Sequence, residues 1–524
     1  MSEPLLKVQQ LSVSLPAGTD RSFAVHNVSF EVNPGEILCI VGESGSGKSV
    51  LTASLMGAAP KGLNVVGGHA IMGGRDLLAL SERAWREVRG KDIGMIFQEP
   101  MASLNPALTV AEQIEEVFVL HANLPRSERA ARARTLVEAM HLPEPDRILS
   151  SYPHMLSGGQ CQRVVIAMAL AMSPKLLIAD EPTTALDVTT QAQVLKLIRE
   201  LRDDHGHGII FITHDLGVVA DLADRIAVMR NGEIVEVGSA QQVLTAPQHD
   251  YTKKLIAAVP SLVPHDRERI AADKPALEVT GLNHSYGAAQ VLYDISLSVE
   301  PGRVLSIVGE SGSGKSTIAK NLIRLVDPTA GRISVRGENI LDVQGDALRA
   351  MRPRIQMIFQ DPFGSLNPRR KVGPMIARAA VLAGANKTEA VARAKDLLEL
   401  VGLQRNAYDR RPAAFSGGQR QRIGIARALA MRPDVLIADE SVSALDVSVQ
   451  AQVLDLLADL QKKFSLAVVF ITHDLRVAAQ ISDEIIVLSK GHIVERGSAS
   501  DVLTRPQHPY TRDLISAAPG RAMF

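Results

Sequence analysis

The sequence has 524 residues, enough for two or more domains, and its 46% of apolar residues can fill substantial cores. Lys+Arg and Asp+Glu both number 57, so the formal charge of +0 argues against a dedicated nucleic-acid binder, for which a basic excess is typical. Only two cysteines occur, Cys39 and Cys161, which excludes a disulfide framework and favours a reducing compartment.

The sequence predicts neither a transmembrane segment nor a secretory signal. Apolar runs such as residues 164–172 fall well short of the roughly 18 residues that cross a bilayer. The N-terminal residues lack the basic and apolar stretches of a secretory signal. If the protein acts at a membrane, we therefore expect it to be a peripheral subunit.

In chain order, short apolar runs alternate with helical stretches. The runs are rich in Ile and Val and are typical of buried parallel strands. In the first half they lie at residues 36–41, 176–179 and 209–212, with helices predicted at residues 127–140, 160–172 and 190–202. In the second half they lie at residues 304–308, 435–438 and 468–471, with a helix predicted at residues 388–400. This succession predicts α/β domains, each with a mainly parallel core sheet whose ligands bind at the carboxyl ends of its strands.

The two halves repeat the same motifs in the same order. GESGSGKS occurs at residues 42–49 and 309–316, and SGGQ, LIADE and FITHDL each occur twice at a nearly constant offset. A period of this length indicates two homologous domains instead of a solenoid. We predict domains at residues 1–262 and 276–524, joined by a Pro-containing, mixed-charge linker at residues 263–275.

The repeated glycine-rich segment matches the phosphate-binding P-loop. Glycines let backbone N–H groups converge on phosphate oxygens, and the lysine reaches the β- and γ-phosphates. One such turn before a lysine could arise by chance, but two copies, each after a strand-like run, predict nucleotide binding. The predicted contacts are Gly42, Glu43, Ser44, Gly45, Ser46, Gly47, Lys48, Ser49 and Val50 in the first half, and Gly309, Glu310, Ser311, Gly312, Ser313, Gly314, Lys315, Ser316 and Thr317 in the second.

An acidic pair closes a predicted strand in each half, at Asp180-Glu181 and Asp439-Glu440. The first acid can hold the Mg²⁺ shell, and the second can take a proton from an attacking water. An acidic pair at a helix start is the structural alternative, because acids are favoured there without any function.

Two further residue types recur in matching contexts. His214 and His473 follow Thr after a strand, and their recurrence points to a γ-phosphate contact. Gln98 and Gln360 follow Met-Ile-Phe, and only the twofold occurrence makes them candidates.

The SGGQ segment fits a capping box ahead of a helix. A glycine-rich helix start is also an anion site, so each half carries two phosphate-binding surfaces although a nucleotide needs only one. We therefore predict a head-to-tail sandwich, in which the P-loop of one half and the SGGQ of the other hold one nucleotide. The contacts predicted here are Ser157, Gly158, Gly159, Gln160, Ser416, Gly417, Gly418 and Gln419.

Taken in chain order, the motifs resemble the P-loop, Q-loop, signature, Walker B, D-loop and H-loop of ABC transporter ATPases. The resemblance occurs twice and covers nearly the whole chain. The segments at residues 97–106, 359–368, 247–255 and 506–514 resemble the oligopeptide/dipeptide import branch, and the fused tandem arrangement is most like bacterial microcin C and oligopeptide uptake ATPases. The resemblance implies an ATPase that powers import of peptides or peptide-like compounds. It also implies two membrane-spanning permease subunits, an extracytoplasmic substrate-binding protein and a peripheral position at the cytoplasmic face of a bacterial inner membrane.

The resemblance implies two tandem P-loop NTPase domains, each a mainly parallel sheet core with a helical subdomain. Carried over to this sequence, it also implies two complete hydrolytic sites. Site one would use Lys48, Ser49, Gln98, Asp180, Glu181 and His214, completed by residues 416–419. Site two would use Lys315, Ser316, Gln360, Asp439, Glu440 and His473, completed by residues 157–160. Asp187 and Asp446 occupy the D-loop positions. The implied Mg²⁺ ligands are Ser49, Gln98, Asp180, Ser316, Gln360 and Asp439.

The sequence departs from the family pattern in places. The adenine-stacking aromatic is Tyr286 in the second half, whereas the first half has Leu15 there, with Phe23 as a possible substitute. Pro182 should restrict Glu181 towards extended backbone, and the second half has Ser441 in place of that proline. No cysteine follows the segments at residues 247–255 and 506–514, so we expect no iron–sulfur cluster.

Other functions remain as alternatives. Import of glutathione, nickel or another solute would use the same ATPase. A tandem ABC protein acting in translation would carry a long, charged, helical linker, and a DNA-repair ATPase would carry zinc-binding cysteines or coiled-coil insertions. Neither feature is present in this sequence.

Overall fold

A computed structural model describes the chain except for residues 1, 2, 17, 19, 20, 185, 265–273, 362, 363, 444, 522 and 524. The chain divides into two compact units, the first holding Met1–Leu186 and Thr190–Val259 and the second holding Asp187–Thr189 and Pro260–Ala522. Most of the predicted linker at residues 263–275 lies outside the described residues. The domain boundaries therefore stay a prediction.

The first unit has ten strands and eleven α-helices among its described residues. The strands are β1 (Leu6–Ser14), β2 (Phe23–Val32), β3 (Ile37–Val41), β4 (Asn64–Met72), β5 (Arg75–Asp76), β6 (Ile93–Ile96), β7 (Leu176–Asp180), β8 (Gly208–Ile212), β9 (Arg225–Arg230) and β10 (Glu233–Ser239). The helices are α1 (Lys48–Leu55), α2 (Glu82–Val88), α3 (Pro100–Ser103), α4 (Val110–His121), α5 (Arg126–Ala139), α6 (Pro145–Ser150), α7 (Gly158–Leu170), α8 (Val188–His205), α9 (Leu216–Leu222), α10 (Ala240–Thr245) and α11 (Asp250–Ala257).

The core sheet of the first unit runs in the order β6-β7-β8-β3-β9-β10. All neighbours pair in parallel except the edge pair β9 and β10. Every residue of β3, β7 and β8 is buried, which explains their continuous apolar sequences. A second, antiparallel sheet has the order β2-β1-β4-β5. The central strands β3, β7 and β8 lie at the predicted apolar runs, whereas this second sheet was not predicted from the sequence.

The second unit repeats the plan. Its strands are β11 (Leu277–Tyr286), β12 (Ala289–Val299), β13 (Val304–Val308), β14 (Ala330–Val335), β15 (Glu338–Asn339), β16 (Ile355–Ile358), β17 (Val435–Asp439), β18 (Ala467–Thr472), β19 (Glu484–Ser489) and β20 (His492–Ser498). Its helices are α12 (Lys315–Leu322), α13 (Gly345–Met351), α14 (Val372–Leu382), α15 (Lys387–Leu400), α16 (Gly417–Leu429), α17 (Val447–Phe464), α18 (Leu475–Ile481), α19 (Ala499–Thr504) and α20 (Pro509–Ser516).

The two sheets of the second unit match those of the first. The core sheet has the order β16-β17-β18-β13-β19-β20, and the antiparallel sheet has the order β12-β11-β14-β15. The predicted α/β class with a mainly parallel core sheet is therefore confirmed for both units. Within the described part of the chain, no helix is both long and apolar enough to span a bilayer.

Candidate functional site

The P-loop of the first unit begins where buried β3 ends. Gly42 has φ 152° and Gly47 has φ 106°, and the latter angle lies in the left-handed region that favours glycine. A Cβ on Gly47 would lie 2.4 Å from the Ala24 carbonyl oxygen. Gly314 has φ 108° in the second unit, so both turns need glycine immediately before the lysine that opens α1 or α12.

Both P-loop lysines are buried and fold back on the loop. The Lys48 Nζ donates to the carbonyl oxygens of Gly42 at 2.7 Å and Glu43 at 3.0 Å. The Lys315 Nζ donates to Gly309 at 2.8 Å and Glu310 at 2.7 Å. Burial lowers the pKa of Lys315, and the nearby carboxylates only partly oppose it. An anion that binds in this loop would supply negative charge that balances the buried Lys315 ammonium.

The P-loop serines lie against the first acid of each pair. The Ser49 hydroxyl donates to Asp180 Oδ1 at 3.2 Å, and the Ser316 hydroxyl donates to Asp439 Oδ1 at 3.5 Å. Burial raises the pKa of Asp439 to about 6, and the neighbouring Glu440 charge adds to that effect. A hydroxyl and a carboxylate held together form an oxygen donor set of the kind that a hard divalent cation prefers.

The second acid of each pair is the centre of a hydrogen-bonded cluster. Glu181 Oε2 accepts from Gln98 Nε2 at 3.1 Å and from the Thr184 hydroxyl at 2.9 Å, and His214 Nδ1 lies 3.3 Å away. Burial alone would raise the pKa of Glu181, but the bond and charge of His214 bring it to about 2. Glu181 is therefore ionised at neutral pH.

The second unit holds a similar cluster, in which the Ser443 hydroxyl donates to the backbone carbonyl of Glu440 at 2.9 Å instead of to its carboxylate. Glu440 Oε2 accepts from Gln360 Nε2 at 2.6 Å, and His473 Nδ1 lies 3.3 Å from Glu440 Oε1. The pKa of Glu440 is lowered, because His473 outweighs the effect of burial. Neither glutamine had a sequence signal beyond its recurrence, yet each donates to a carboxylate of an acidic pair.

The backbone at the two glutamates differs from the expectation. Glu181 has φ 47° and Glu440 has φ 43°, so both lie in the left-handed region. The expectation that Pro182 holds Glu181 in extended backbone is wrong, and Ser441 makes no difference to this angle. The amide of each glutamate donates to the end of the adjacent strand, at Ile212 or Ile471, which fixes the turn in both units.

Sheet order explains why residues distant in sequence meet. In the first unit, four adjacent strands lead to the site residues. Gln98 follows β6, the acidic pair lies at the end of β7, His214 follows β8, and the P-loop follows β3. Carboxyl ends of parallel strands share one edge, so this order alone brings the groups together. The second unit uses β16, β17, β18 and β13 in the same way.

The two SGGQ segments are capping boxes, as their sequence predicts. The Ser157 hydroxyl accepts from the Gln160 amide at 3.3 Å, and the Gln160 side chain accepts from the Ser157 amide at 2.9 Å. Ser416 and Gln419 make the same pair of bonds, at 3.4 and 3.1 Å. Each box opens a 13-residue helix, so the positive helix end lies at the glycines.

Close packing explains the second glycine of each box. A Cβ on Gly159 would lie 2.3 Å from the Thr190 side chain, and one on Gly418 would lie 2.2 Å from the Val449 side chain. Gly158 and Gly417 have no such neighbour within 3.4 Å. The first glycine of each pair is therefore not required by packing within its own unit.

The aromatic candidates for adenine lie at the edge of the antiparallel sheet. Tyr286 is 47% exposed and packs edge-on against His284, with ring centroids 4.5 Å apart. In the first unit, Leu15 is partly buried, and Phe23 stacks on His26 with centroids 4.7 Å apart. Each candidate ring thus contacts a histidine of its own strand, edge-on at Tyr286 and stacked at Phe23.

The remaining predicted positions lie around this edge. Val50 and Thr317 are partly buried in the first turns of α1 and α12. Asp187 accepts from the Thr189 hydroxyl at 2.8 Å, and Asp446 directly precedes α17. Residues 185 and 444 of the same D-loop segments lie outside the described residues.

Several contacts to the P-loops were not predicted from the sequence, among them those of Arg21, Tyr251 and Tyr510. Arg21 Nη2 donates to the Gly45 carbonyl at 2.7 Å. The Tyr251 hydroxyl accepts from the Glu43 amide, and the Tyr510 hydroxyl accepts from the Glu310 amide, both at 3.1 Å. Both tyrosines occupy the same place in the repeated Pro-Gln-His-x-Tyr-Thr segment, which was the available signal.

Two family models match this chain. The model described as ABC transporter matches residues 25–184 and 292–443. The model described as the C-terminal region of oligopeptide/dipeptide transporters matches residues 235–282 and 494–521.

Curated relatives match nearly the whole length. The peptidoglycan transport ATP-binding protein YejF of Agrobacterium fabrum is 46% identical over 532 residues, covering 99% of this chain and 97% of the relative. The glutathione import ATP-binding protein GsiA of Salmonella paratyphi A is 46% identical over 560 residues, covering 99% and 90%. A solved dimeric structure of MJ0796, a bacterial ABC transporter cassette, is 30% identical, covers 45% of this chain and 98% of that one, and has a TM-score of 0.41.

Proposed function

This chain belongs to the ABC transporter ATP-binding proteins of the oligopeptide/dipeptide import type, and on that premise we propose that it powers uptake of a peptide-like compound through two composite ATP sites. It is an ATPase whose hydrolysis of ATP is coupled to import, as the sequence predicted. The observation that carries the proposal is the repeated cluster of buried lysine, serine–aspartate pair and ionised glutamate at one sheet edge.

Magnesium fits the oxygen donors of each unit. Mg²⁺ keeps several waters and takes one or two protein oxygens together with substrate phosphates. Ser49 with Asp180, and Ser316 with Asp439, offer this small set of oxygens beside the P-loop lysine. When bound, the ion would neutralise charge on the β- and γ-phosphates. Gln98 and Gln360 would reach the same shell from the edge strands.

The glutamates act as bases in this proposal. Glu181 and Glu440 are ionised at neutral pH and lie within hydrogen-bond distance of a glutamine amide, so each can orient and deprotonate an attacking water. His214 and His473 hold the carboxylates and face the position of the γ-phosphate. Lys48 and Lys315 would contact the phosphates while they keep their bonds to the loop carbonyls.

Each site needs a second source of positive potential. The capping boxes at Ser157 and Ser416 open helices whose first glycine is not required by local packing, and the positive end of each helix lies at these glycines. The box of the opposite half supplies this surface: residues 416–419 complete the Lys48 site, and residues 157–160 complete the Lys315 site.

Permease subunits are the partners that the surface supports. In the second unit a groove of about 890 Å³ runs beside Gln360 and is lined by Phe359 and Leu382, which are 40% and 59% exposed. The first unit exposes Phe97 and Leu120 in the corresponding places, by 50% and 70%. Matched apolar patches beside both glutamines suit two similar cytoplasmic loops of permeases. The chain would then act as a peripheral subunit at the cytoplasmic face of the membrane, and an extracytoplasmic binding protein would deliver the solute.

The solute class rests on what the relatives' names share. Glutathione is a tripeptide, and peptidoglycan carries short peptides, so a peptide-like solute agrees with both names. Nickel import has no support from these relatives.

Uptake in cells tests this proposal. A strain that lacks the chain should regain uptake of a labelled tripeptide with the natural chain but not with Lys48→Ala combined with Lys315→Ala. Labelled glutathione and radioactive Ni²⁺ are assayed in parallel as alternative solutes. Restored uptake of Ni²⁺ alone, or peptide uptake that survives the double lysine variant, would contradict the proposal.

A further inference from the structure

One peptide bond in the P-loop of the first unit is held at both ends. The Gly42 carbonyl accepts from Lys48 Nζ at 2.7 Å, and the Glu43 amide donates to the Tyr251 hydroxyl at 3.1 Å. This carbonyl and this N–H belong to the same planar peptide unit and point in opposite directions. A partner that fixes one end therefore fixes the direction of the other.

The second unit holds the equivalent peptide in the same way. The Gly309 carbonyl accepts from Lys315 Nζ at 2.8 Å, and the Glu310 amide donates to the Tyr510 hydroxyl at 3.1 Å. The two units share the arrangement although Asp250 precedes one tyrosine and Pro509 the other. The tyrosine contact thus does not depend on that neighbouring residue.

Each tyrosine is anchored by the segment that carries it. Tyr251 lies in the first turn of α11, where its amide donates to His249 Nδ1 at 3.1 Å. The Glu236 carboxylate on β10 accepts from the amides of Gln248 at 2.7 Å and His249 at 3.1 Å. Although burial would raise it, these bonds hold the pKa of Glu236 below its usual range. The anchor is therefore charged at neutral pH.

The second anchor is equivalent. Glu495 on β20 accepts from the amides of Gln507 at 2.7 Å and His508 at 3.1 Å, and the Tyr510 amide donates to His508 Nδ1 at 3.2 Å. Burial raises the pKa of Tyr510, so its phenol keeps its proton at neutral pH. A neutral phenol has lone pairs that can accept the Glu310 N–H.

The Tyr251 ring is held as firmly as its backbone. The side chain is buried, with 7% exposure, and the Arg230 guanidinium carbon lies 4.9 Å from the ring centroid. The ring can therefore keep its place when the hydroxyl alone is removed.

We propose that Tyr251 and Tyr510 are positioning residues for nucleotide binding, through which the C-terminal region of each half fixes the shape of its own P-loop. Each phenol holds the first P-loop peptide so that its carbonyl faces the lysine. Without that acceptor, the N–H must turn to another partner, and the carbonyl turns with it. This inference rests on the proposed binding of phosphate by the P-loops.

The direct test is the variant Tyr251→Phe with Tyr510→Phe in the full chain. We expect its affinity for ATP, titrated with a fluorescent ATP analogue, to fall roughly 3- to 30-fold, the loss expected when a buried backbone donor loses its acceptor. The ATP KM should rise by the same factor while kcat stays within about twofold, since no group at the reacting atoms changes. Amide exchange at Glu43 and Glu310 should become faster.

Two further variants separate positioning from general structure. Glu236→Gln with Glu495→Gln weakens both anchors and should shift the ATP KM in the same direction by a smaller factor. Tyr408→Phe removes a phenol hydroxyl from the short helical turn Arg405–Asp409 of the second unit and should leave affinity unchanged.

Unchanged ATP affinity and unchanged exchange at residues 43 and 310 in the double tyrosine variant would overturn the inference. A fall in kcat at constant KM would overturn it as well. In either case, loss of ATP binding in Lys48→Ala with Lys315→Ala would show that the P-loops still bind phosphate. Normal ATP binding in that lysine variant would instead contradict the proposed function.

Discussion

The base assignment makes a quantitative prediction for Glu181→Gln combined with Glu440→Gln. An amide oxygen at Glu181 can still accept from Gln98 and from the Thr184 hydroxyl, which now lie 3.1 and 2.9 Å from Oε2. The cluster should therefore keep its geometry. The amide cannot take a proton from water, and its introduction removes a negative charge from the place where the γ-phosphate binds.

A positioned base contributes roughly 10²- to 10⁴-fold to a rate, which corresponds to about 3 to 5 kcal/mol of activation free energy. We expect the double variant to lose turnover by that factor and to bind ATP as tightly as, or more tightly than, the natural chain. Steady-state phosphate release and equilibrium ATP titration measure the two quantities. Glu278→Gln, at an exposed position of β11, is the control.

Hydrolysis within about threefold of the natural rate in the double variant would refute the assignment of the base. Loss of turnover together with loss of ATP binding would also refute it, because the side chains would then serve the binding of the nucleotide.

Three other predictions test separate parts of the account. Gly47→Ala should cost roughly 1–3 kcal/mol of strain and lower both the melting temperature and the ATP affinity, because φ is 106° and the new Cβ would lie 2.4 Å from the Ala24 carbonyl oxygen. Gly67→Ala should change neither quantity, and equal behaviour of the two variants would contradict the strain argument. Burial raises the thiol pKa values of Cys39 and Cys161, so little thiolate is present at pH 8. Iodoacetamide should therefore label the native chain slowly and both thiols after denaturation, and rapid labelling of the native chain would contradict this prediction. Removal of Mg²⁺ with EDTA should stop phosphate release and its return should restore it; hydrolysis that persists in EDTA would contradict the proposed ligands.

The central strands could be predicted because burial on both faces leaves a clear sequence signal. The predicted runs at residues 304–308 and 435–438 match β13 (Val304–Val308) and nearly all of β17 (Val435–Asp439). The capping boxes could also be predicted, because a Ser and a Gln three residues apart form their two hydrogen bonds locally. Strand order, by contrast, had no sequence signal, and it is the strand order that brings Gln98 to Glu181.

What the sequence could not reveal depends on distant contacts. The left-handed backbone of Glu181 is imposed by a bond to the neighbouring strand, which overrides the local preference of a residue before proline. Tyr251 contacts a P-loop about two hundred residues earlier in the chain, and its motif was recognisable only as a repeat. Local rules describe short-range bonds well, but these two features follow from packing across the sheet.

The central claim is that each nucleotide is shared between the halves, and nucleotide counting tests it directly. In a Glu181→Gln, Glu440→Gln background, which we expect to retain ATP, Lys48→Ala with Ser416→Arg should damage one site twice and leave one ATP bound per chain. Lys48→Ala with Ser157→Arg should damage both sites and leave none. The opposite pair of results, one ATP with Ser157→Arg and none with Ser416→Arg, would mean that each half binds its nucleotide alone and would contradict the account.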